Sequence, residues 1–299
     1  MIKPLRLVTG DLVAIVASAS PIREEFLSRG VAEIEALGYR CTYADTITSR
    51  HRYLAGNDQR RAEELIRWLS DPEVKAIVFA RGGFGTVRIL DRLGPQVLLA
   101  PKILCGYSDI TSLHLHVQRC AGWVTFYGPM AAWDFARGPN AYDRESFVAA
   151  VSGETQRFRG LRTIKSGRPV TGRLAGGCLS LIQASAGTTY QPALDGCIVV
   201  LEDEGVKPYQ LDRMLTHLRR AGVLDGVLGL VFGEMPNCVQ TEAQGYELAD
   251  VIAESAPEIP VLMGLPAGHA RRVATIPFGV SATLHPEAGM VEITEPAVA

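Results

Sequence analysis

Gly106-Tyr107-Ser108-Asp109-Ile110-Thr111 interrupts the apolar run Ile103-Leu104-Cys105 with residues that can do chemistry. The pattern predicts a strand, a tight turn and a helix start. A serine on such a turn holds its hydroxyl at a helix N-terminus, where free N–H groups and the positive end of the dipole favour developing negative charge. Two roles fit it: the nucleophile of an acyl transfer, or the side-chain cap of an ordinary helix.

A nucleophilic serine needs a base within hydrogen-bond reach, an acid to orient that base, and backbone donors for an oxyanion. Of the six histidines, His114 and His116 fall on the helix that starts at Ser108 and are expected to be carried away from the turn. His217 lies in an amphipathic segment, at its surface, and His51 follows Arg50 in a polar connection. His269 and His285 remain. His269 ends the apolar run Val261-Leu262-Met263-Gly264-Leu265-Pro266-Ala267-Gly268, which puts it on a loop just beyond a strand, either as a base or as a plain surface residue. For the acid, the buried-type strand Cys197-Ile198-Val199-Val200-Leu201 stops in Glu202, Asp203 and Glu204. Glu202 stands nearest the core, and Asp203 and Glu204 are expected to be solvated. Arg81-Gly82-Gly83-Phe84-Gly85-Thr86 joins an apolar strand to a helix. Its free N–H groups could bind an anion or an oxyanion, or the glycines could serve only a tight turn. It lacks both the lysine of a phosphate loop and the spacing of a dinucleotide fingerprint.

The elements that must position these residues alternate in the first half. Strands are expected at 11–17, 39–44, 74–80 and up to Ser108, with helices at 23–37, 57–70, 86–93 and 110–119. This order predicts a mainly parallel sheet covered on both faces, with ligands gathering beyond the carboxyl ends of its strands. Between 153 and 170 the composition shifts: Arg157, Arg159, Arg162, Lys165 and Arg168 face a single acid, Glu154, and read as a linker or a flap. Beyond it come Gly-rich segments, short strands at 197–201 and 227–232, a helix at 211–221 and a β-hairpin at 282–293. The expected organisation is an N-terminal α/β sandwich domain at 1–152, the linker or flap at 153–170, and a β-rich α/β domain at 171–299.

Bulk properties fit a globular chain of 299 residues, 47% hydrophobic and 21% charged, with a formal net charge of −2. That balance calls for no nucleic-acid or membrane partner. The six cysteines are scattered without metal-ligand spacing, so neither a disulfide framework nor a metal is expected. No stretch reaches the ~20 apolar residues of a membrane span and no secretory leader opens the sequence, which makes the cytoplasm the expected compartment. Arg271 and Arg272, beside His269, could attract substrate carboxylates or simply be solvated.

Taken together, several segments resemble the LD-carboxypeptidase family, serine peptidases that include muramoyltetrapeptide carboxypeptidase and the microcin C self-immunity proteins. The matching pieces are the strand and Ser-Pro between Val13 and Pro21, Ala80-Arg81-Gly82-Gly83-Phe84-Gly85, Gly106-Tyr107-Ser108-Asp109-Ile110-Thr111, Gly172-Arg173-Leu174-Ala175-Gly176-Gly177-Cys178-Leu179-Ser180, Leu201-Glu202-Asp203 with Pro208-Tyr209 and Asp212-Arg213-Met214-Leu215, and Gly268-His269. The resemblance implies Ser108 as nucleophile, His269 as general base and then acid, Glu202 as the orienting carboxylate, and the amides of Gly83 and Asp109 as oxyanion hole, in a cleft between the two domains. It also implies hydrolysis, without metal or cofactor, of the amide between an L-centre and a C-terminal D-amino acid, the usual substrate being a murein tetrapeptide cleaved between meso-diaminopimelate and D-alanine in cell-wall recycling. A homodimer is compatible with it. Cys178 stands where the family commonly has asparagine, which touches substrate contacts or local packing. The alternatives are a microcin C-like peptide-nucleotide hydrolase and a non-catalytic α/β protein that binds a small anion at Gly82-Gly83.

Overall fold

A computed structural model of the chain describes residues 1–239 and 245–299. The first sheet is built from β1 (Leu12–Val16), β2 (Arg40–Thr42), β3 (Val74–Phe79), β4 (Ile103–Cys105) and β5 (Thr125–Tyr127), with helices α1 (Glu24–Ala36), α2 (Asp58–Ser70) and α3 (Thr111–Ala121) between them and α4 (Arg144–Ser152) after. The β1, β3 and β4 runs are apolar except for Lys75 because the sheet is parallel and covered on both faces, and no residue of these strands is fully exposed. α1 buries Leu27, Gly30 and Ile34, and at Gly30 the backbone of Ala131 comes so close that no Cβ fits. α2 starts where the Asn57 side chain accepts from the Arg60 N–H, and α3 stops at Gly122, in the left-handed region at φ 66°. The segment expected as a helix at 86–93 is a 3-10 turn, Thr86–Arg92.

The second sheet contains β6 (Arg157–Phe158), β7 (Arg162–Lys165), β8 (Val170–Cys178), β9 (Cys197–Glu202), β10 (Gly229–Gly233), β11 (Val261–Leu265), β13 (Ser281–His285) and β14 (Met290–Ile293), with α5 (Leu179–Ser185), α6 (Pro208–Arg220) and α7 (Leu248–Ser255). Its order is β6-β14-β13-β8-β9-β10-β11-β7, parallel from β8 to β11 and antiparallel outside. The hairpin expected at 282–293 is present, with Ala282 opposite Ile293. α6 carries proline at its first position and buries Leu211, Met214, Leu215 and Leu218 against this sheet.

Two features differ from the sequence reading. The basic 157–168 stretch holds the outermost strands at both edges of the second sheet: β6 pairs with β14 and β7 with β11. Its charges line solvated edges, and Arg157 and Arg162 pair with Glu292 and Glu247. Second, β12 (Ile276–Phe278) crosses back and adds antiparallel to β5, closing the first sheet in the order β12-β5-β4-β3-β1-β2. There Phe278 stacks on Tyr127 with ring centroids 5.2 Å apart, a pair adding about 0.5–1.5 kcal/mol beyond its buried area. Among the described residues no helix is long and apolar enough to cross a membrane.

Candidate active site

The carboxyl ends of β1, β3 and β4 carry three turns that meet. Ser108 follows β4 at φ 60°, a left-handed conformation that costs a serine about 1–3 kcal/mol and persists only where the surroundings enforce it. Three contacts do so. A Cβ on Gly106 would press on Ile110 and Phe79 at 3.0 and 3.2 Å, so glycine lets the turn pack closely against them. His114, fully buried on α3, reaches back with Nε2 2.8 Å from the Gly106 carbonyl, and burial pushes its imidazole down to about 4, which keeps it neutral. It is therefore a brace beneath the turn, contrary to the expectation that the helix carries it away. The Asp109 carboxylate accepts from the Thr86 N–H at 2.8 Å, tying the serine turn to the glycine turn.

The glycine turn lies directly against the serine. A Cβ on Gly82 would fall 2.8 Å from Ser108 Cβ, 3.0 Å from Ser108 Oγ and 3.5 Å from the Asp109 nitrogen. Gly83 follows at φ 117° and Gly85 at φ 139°, where the fully buried Arg61 donates to the Gly85 carbonyl at 2.7 Å and also to the Ser18 carbonyl. The amide of Asp109 belongs to the first turn of the helix, whose N–H groups have no intrahelical partner.

The second sheet delivers the acid and the imidazole. Glu202, the last residue of β9, is 1% exposed. Its Oε2 accepts from both the His269 backbone N–H and His269 Nδ1, each at 2.9 Å. A carboxylate only accepts, so Nδ1 carries the proton and Nε2 is left as the basic atom. Gly268, at φ 63°, makes this possible, because a side chain there would overlap the Glu202 carboxylate. Burial pushes the His269 imidazole down, but its hydrogen bond to Glu202 and the charges of Glu202, Glu204 and Asp203 outweigh that and raise it above its ordinary value.

Tyr127, at the end of β5, joins the two halves. Its hydroxyl donates to Glu202 Oε1 at 2.5 Å and accepts from the Ser108 N–H at 3.2 Å. Burial and the nearby Glu202 charge hold the phenol well above its usual value, so it stays a donor. Tyr107, next to Ser108, meets the His269 ring edge-on, centroids 5.2 Å apart. Tyr127 thus links the Ser108 turn to the Glu202–His269 pair, although 161 residue positions separate Ser108 from His269. No motif or periodicity marked Tyr127.

Cys178 ends β8 directly opposite Glu202 in the sheet register. Its N–H donates to Thr111 Oγ1 at 3.0 Å and its sulfur sits 3.3 Å from Ser180 Oγ, while burial and then Glu202 and Asp203 hold the thiol well above its usual value. It is a neutral packing group. Asp203, expected to be solvated, is 6% exposed and accepts from the Ser180 N–H at 2.8 Å at the start of α5. His116 meets the Leu93 carbonyl, His217 meets Gln183 and His285 meets Glu292, all away from Ser108. Arg271 donates its N–H to Glu234, and Arg272 reaches the Tyr142 carbonyl and Asp143. Among the described residues no three His, Cys, Asp or Glu side chains converge as metal ligands.

The LD-carboxypeptidase N-terminal domain model matches residues 13–128 and its C-terminal domain model residues 171–284. A Streptomyces coelicolor protein named "Putative carboxypeptidase" is 37% identical over 100% of this chain and 98% of its own. The "Probable murein peptide carboxypeptidase" of Bacillus subtilis is 32% identical over 95% of this chain and 91% of its own. The crystal structure of muramoyltetrapeptide carboxypeptidase from Oxalobacter formigenes superposes with a TM-score of 0.87 at 29% identity, covering 95% of this chain and 98% of that one. The microcin C7 self-immunity protein has the same fold, with a TM-score of 0.92 at 22% identity over the whole of both chains.

Proposed function

The chain belongs to the LD-carboxypeptidase family, and from that premise we propose that it is a serine carboxypeptidase hydrolysing the amide between meso-diaminopimelate and a C-terminal D-alanine of murein tetrapeptides. The observation that carries this reading is the Glu202–His269 hydrogen bond at 2.9 Å, held by Tyr127 against the strained turn that bears Ser108.

In this reading His269 Nε2 takes the proton as Ser108 Oγ attacks the scissile carbonyl carbon. Glu202 keeps the imidazole in the Nδ1–H form and stabilises the imidazolium that results. The carbonyl oxygen becomes an oxyanion facing the N–H groups of Asp109 and Gly83, donors of a kind worth about 2.7–4 kcal/mol each in the transition state. Collapse breaks the C–N bond. His269 passes its proton to the departing amine, releasing D-alanine and leaving an ester on Ser108. Water, deprotonated by His269, then cleaves the ester and restores the serine. Each step uses groups the chain supplies, at the carboxyl ends of the strands where α/β sheets gather ligands.

The test is D-alanine release from a diaminopimelate-containing tetrapeptide by the parent and by Ser108→Ala. The reading requires a loss of several orders of magnitude in the variant, and labelling of Ser108 by a fluorophosphonate, which a non-catalytic anion binder would not show. A second reading is favoured by the relative named as the microcin C7 self-immunity protein of Escherichia coli, 26% identical over 97% of this chain: the same machinery acting on a peptide-nucleotide conjugate. Side-by-side kcat/KM on the two substrates separates them. Cytoplasmic murein recycling and a homodimer belong to the first reading; cell fractionation and sedimentation test each.

A further inference from the structure

A pocket of about 510 Å³ opens beside the glycine turn, lined by Pro21 and by Arg81, the residue before Gly82. The turn after β1 with Pro21 and Arg23, Phe26 on α1, Arg50 beyond β2, Arg81 after β3, and Trp133 beside Arg81 build it. Its charge is one-sided. Arg23, Arg50 and Arg81 line it, and no aspartate or glutamate does, in a chain whose net charge is −2.

The arginines are poorly neutralised. Among the described residues neither Arg50 nor Arg81 has an ion-pair partner, and Arg23 meets only Glu25 at 3.6 Å, both largely exposed, an arrangement worth little. Arg81 is held in place without being neutralised: its Nη1 points at the Pro21 carbonyl at 3.5 Å and its guanidinium lies 5.5 Å from the centre of the Trp133 ring. A planar cation fixed against an indole is a prepared fork for a carboxylate. The backbone of Arg81 leads directly into Gly82, which touches Ser108, so the pocket lies within the reach of one extended peptide from the scissile carbonyl.

We propose that the Arg23, Arg50 and Arg81 pocket is a substrate subsite that binds a carboxylate of the peptide while the scissile amide lies at Ser108. This rests on the peptidase reading for its occupant. Two carboxylates share the required chemistry: the terminal one on the leaving D-alanine, and the free one on the side chain of diaminopimelate. Lysine is diaminopimelate without that side-chain carboxylate, so the two sources can be removed one at a time.

Dissociation constants are measured on the Ser108→Ala protein, where nothing is turned over, by Trp133 fluorescence, with Trp133→Phe confirming the source of the signal and calorimetry repeating each titration. The probes are the tetrapeptide ending in diaminopimelyl-D-alanine, the same peptide with lysine in place of diaminopimelate, and the same peptide as its C-terminal amide. Arg50→Gln and Arg81→Gln are each expected to weaken the first peptide about tenfold or more, and the penalty disappears on whichever of the other two has lost the bound carboxylate. Equal penalties on all three peptides, or none on the first, overturn the subsite. Absence of D-alanine release by the parent, with the arginine penalty intact, overturns the peptidase reading and leaves the subsite standing.

Discussion

Tyr127→Phe removes one oxygen and with it two hydrogen bonds, one to Glu202 Oε1 at 2.5 Å and one from the Ser108 N–H at 3.2 Å. The first is a buried bond to a charged group, worth about 1.5–3 kcal/mol, and the second leaves a backbone donor unpaired at roughly 1 kcal/mol or more. The ring, stacked on Phe278, keeps its packing. The expected loss of stability is therefore about 2.5–4 kcal/mol, several degrees in midpoint for a chain of this size. Since both lost bonds hold groups proposed to be catalytic, kcat/KM for D-alanine release should fall about 10- to 100-fold. Tyr142→Phe is the control: its hydroxyl donates to Glu33 at 2.7 Å, away from Ser108. It should lower the melting midpoint and leave kcat/KM near that of the parent. If Tyr127→Phe loses no more activity than Tyr142→Phe, the bridging role assigned to the phenol is wrong.

Four further outcomes are expected. Ser108→Gly and Ser108→Ala should both be inactive, with the glycine variant the more stable by about 1 kcal/mol in denaturant titrations, because only glycine occupies φ 60° without strain. Gly82→Ala would drive a methyl to 2.8 Å from Ser108 Cβ, so kcat should drop at least about 100-fold while circular dichroism stays that of the parent. The base must be neutral, and His269 is raised above its ordinary value, so the acid limb of kcat/KM should lie above about pH 6.5. In Glu202→Gln burial is opposed only by the charges of Glu204 and Asp203, so that limb should move to lower pH, with the plateau reduced by orders of magnitude. The same shift stabilises the fold fully below about pH 6.5 and fades as pH rises through the raised value, a trend that thermal scans of parent against His269→Ala should resolve.

The sequence announced what is local and uniform. Leu12–Val16 and Cys197–Leu201 read as strands because they are unbroken apolar runs, as strands covered on both faces are, and the serine turn was visible because glycine and a polar triplet end an apolar run. It also placed Glu202 and His269 at strand ends, where their hydrogen bond now stands. It was silent where structure depends on distant partners. β12 is three residues with a proline in the middle, tolerable only at a sheet edge. Tyr127 is an ordinary strand aromatic until Glu202, 75 positions later, comes to meet it. The basic 157–168 stretch read as a linker because edge strands wet on one side need charge, and charge in isolation looks like loop.

The return of Ile276–Phe278 to the flank of β5 makes the order of synthesis matter. A nascent chain emerging from the ribosome shows the edge of Thr125–Tyr127 long before its covering strand is made, with about 150 further positions to be translated first. An uncovered row of amide and carbonyl groups invites intermolecular pairing. Fragments ending before Ile276 should therefore collect in the insoluble fraction, and supplying the remainder as a separate polypeptide should recover them.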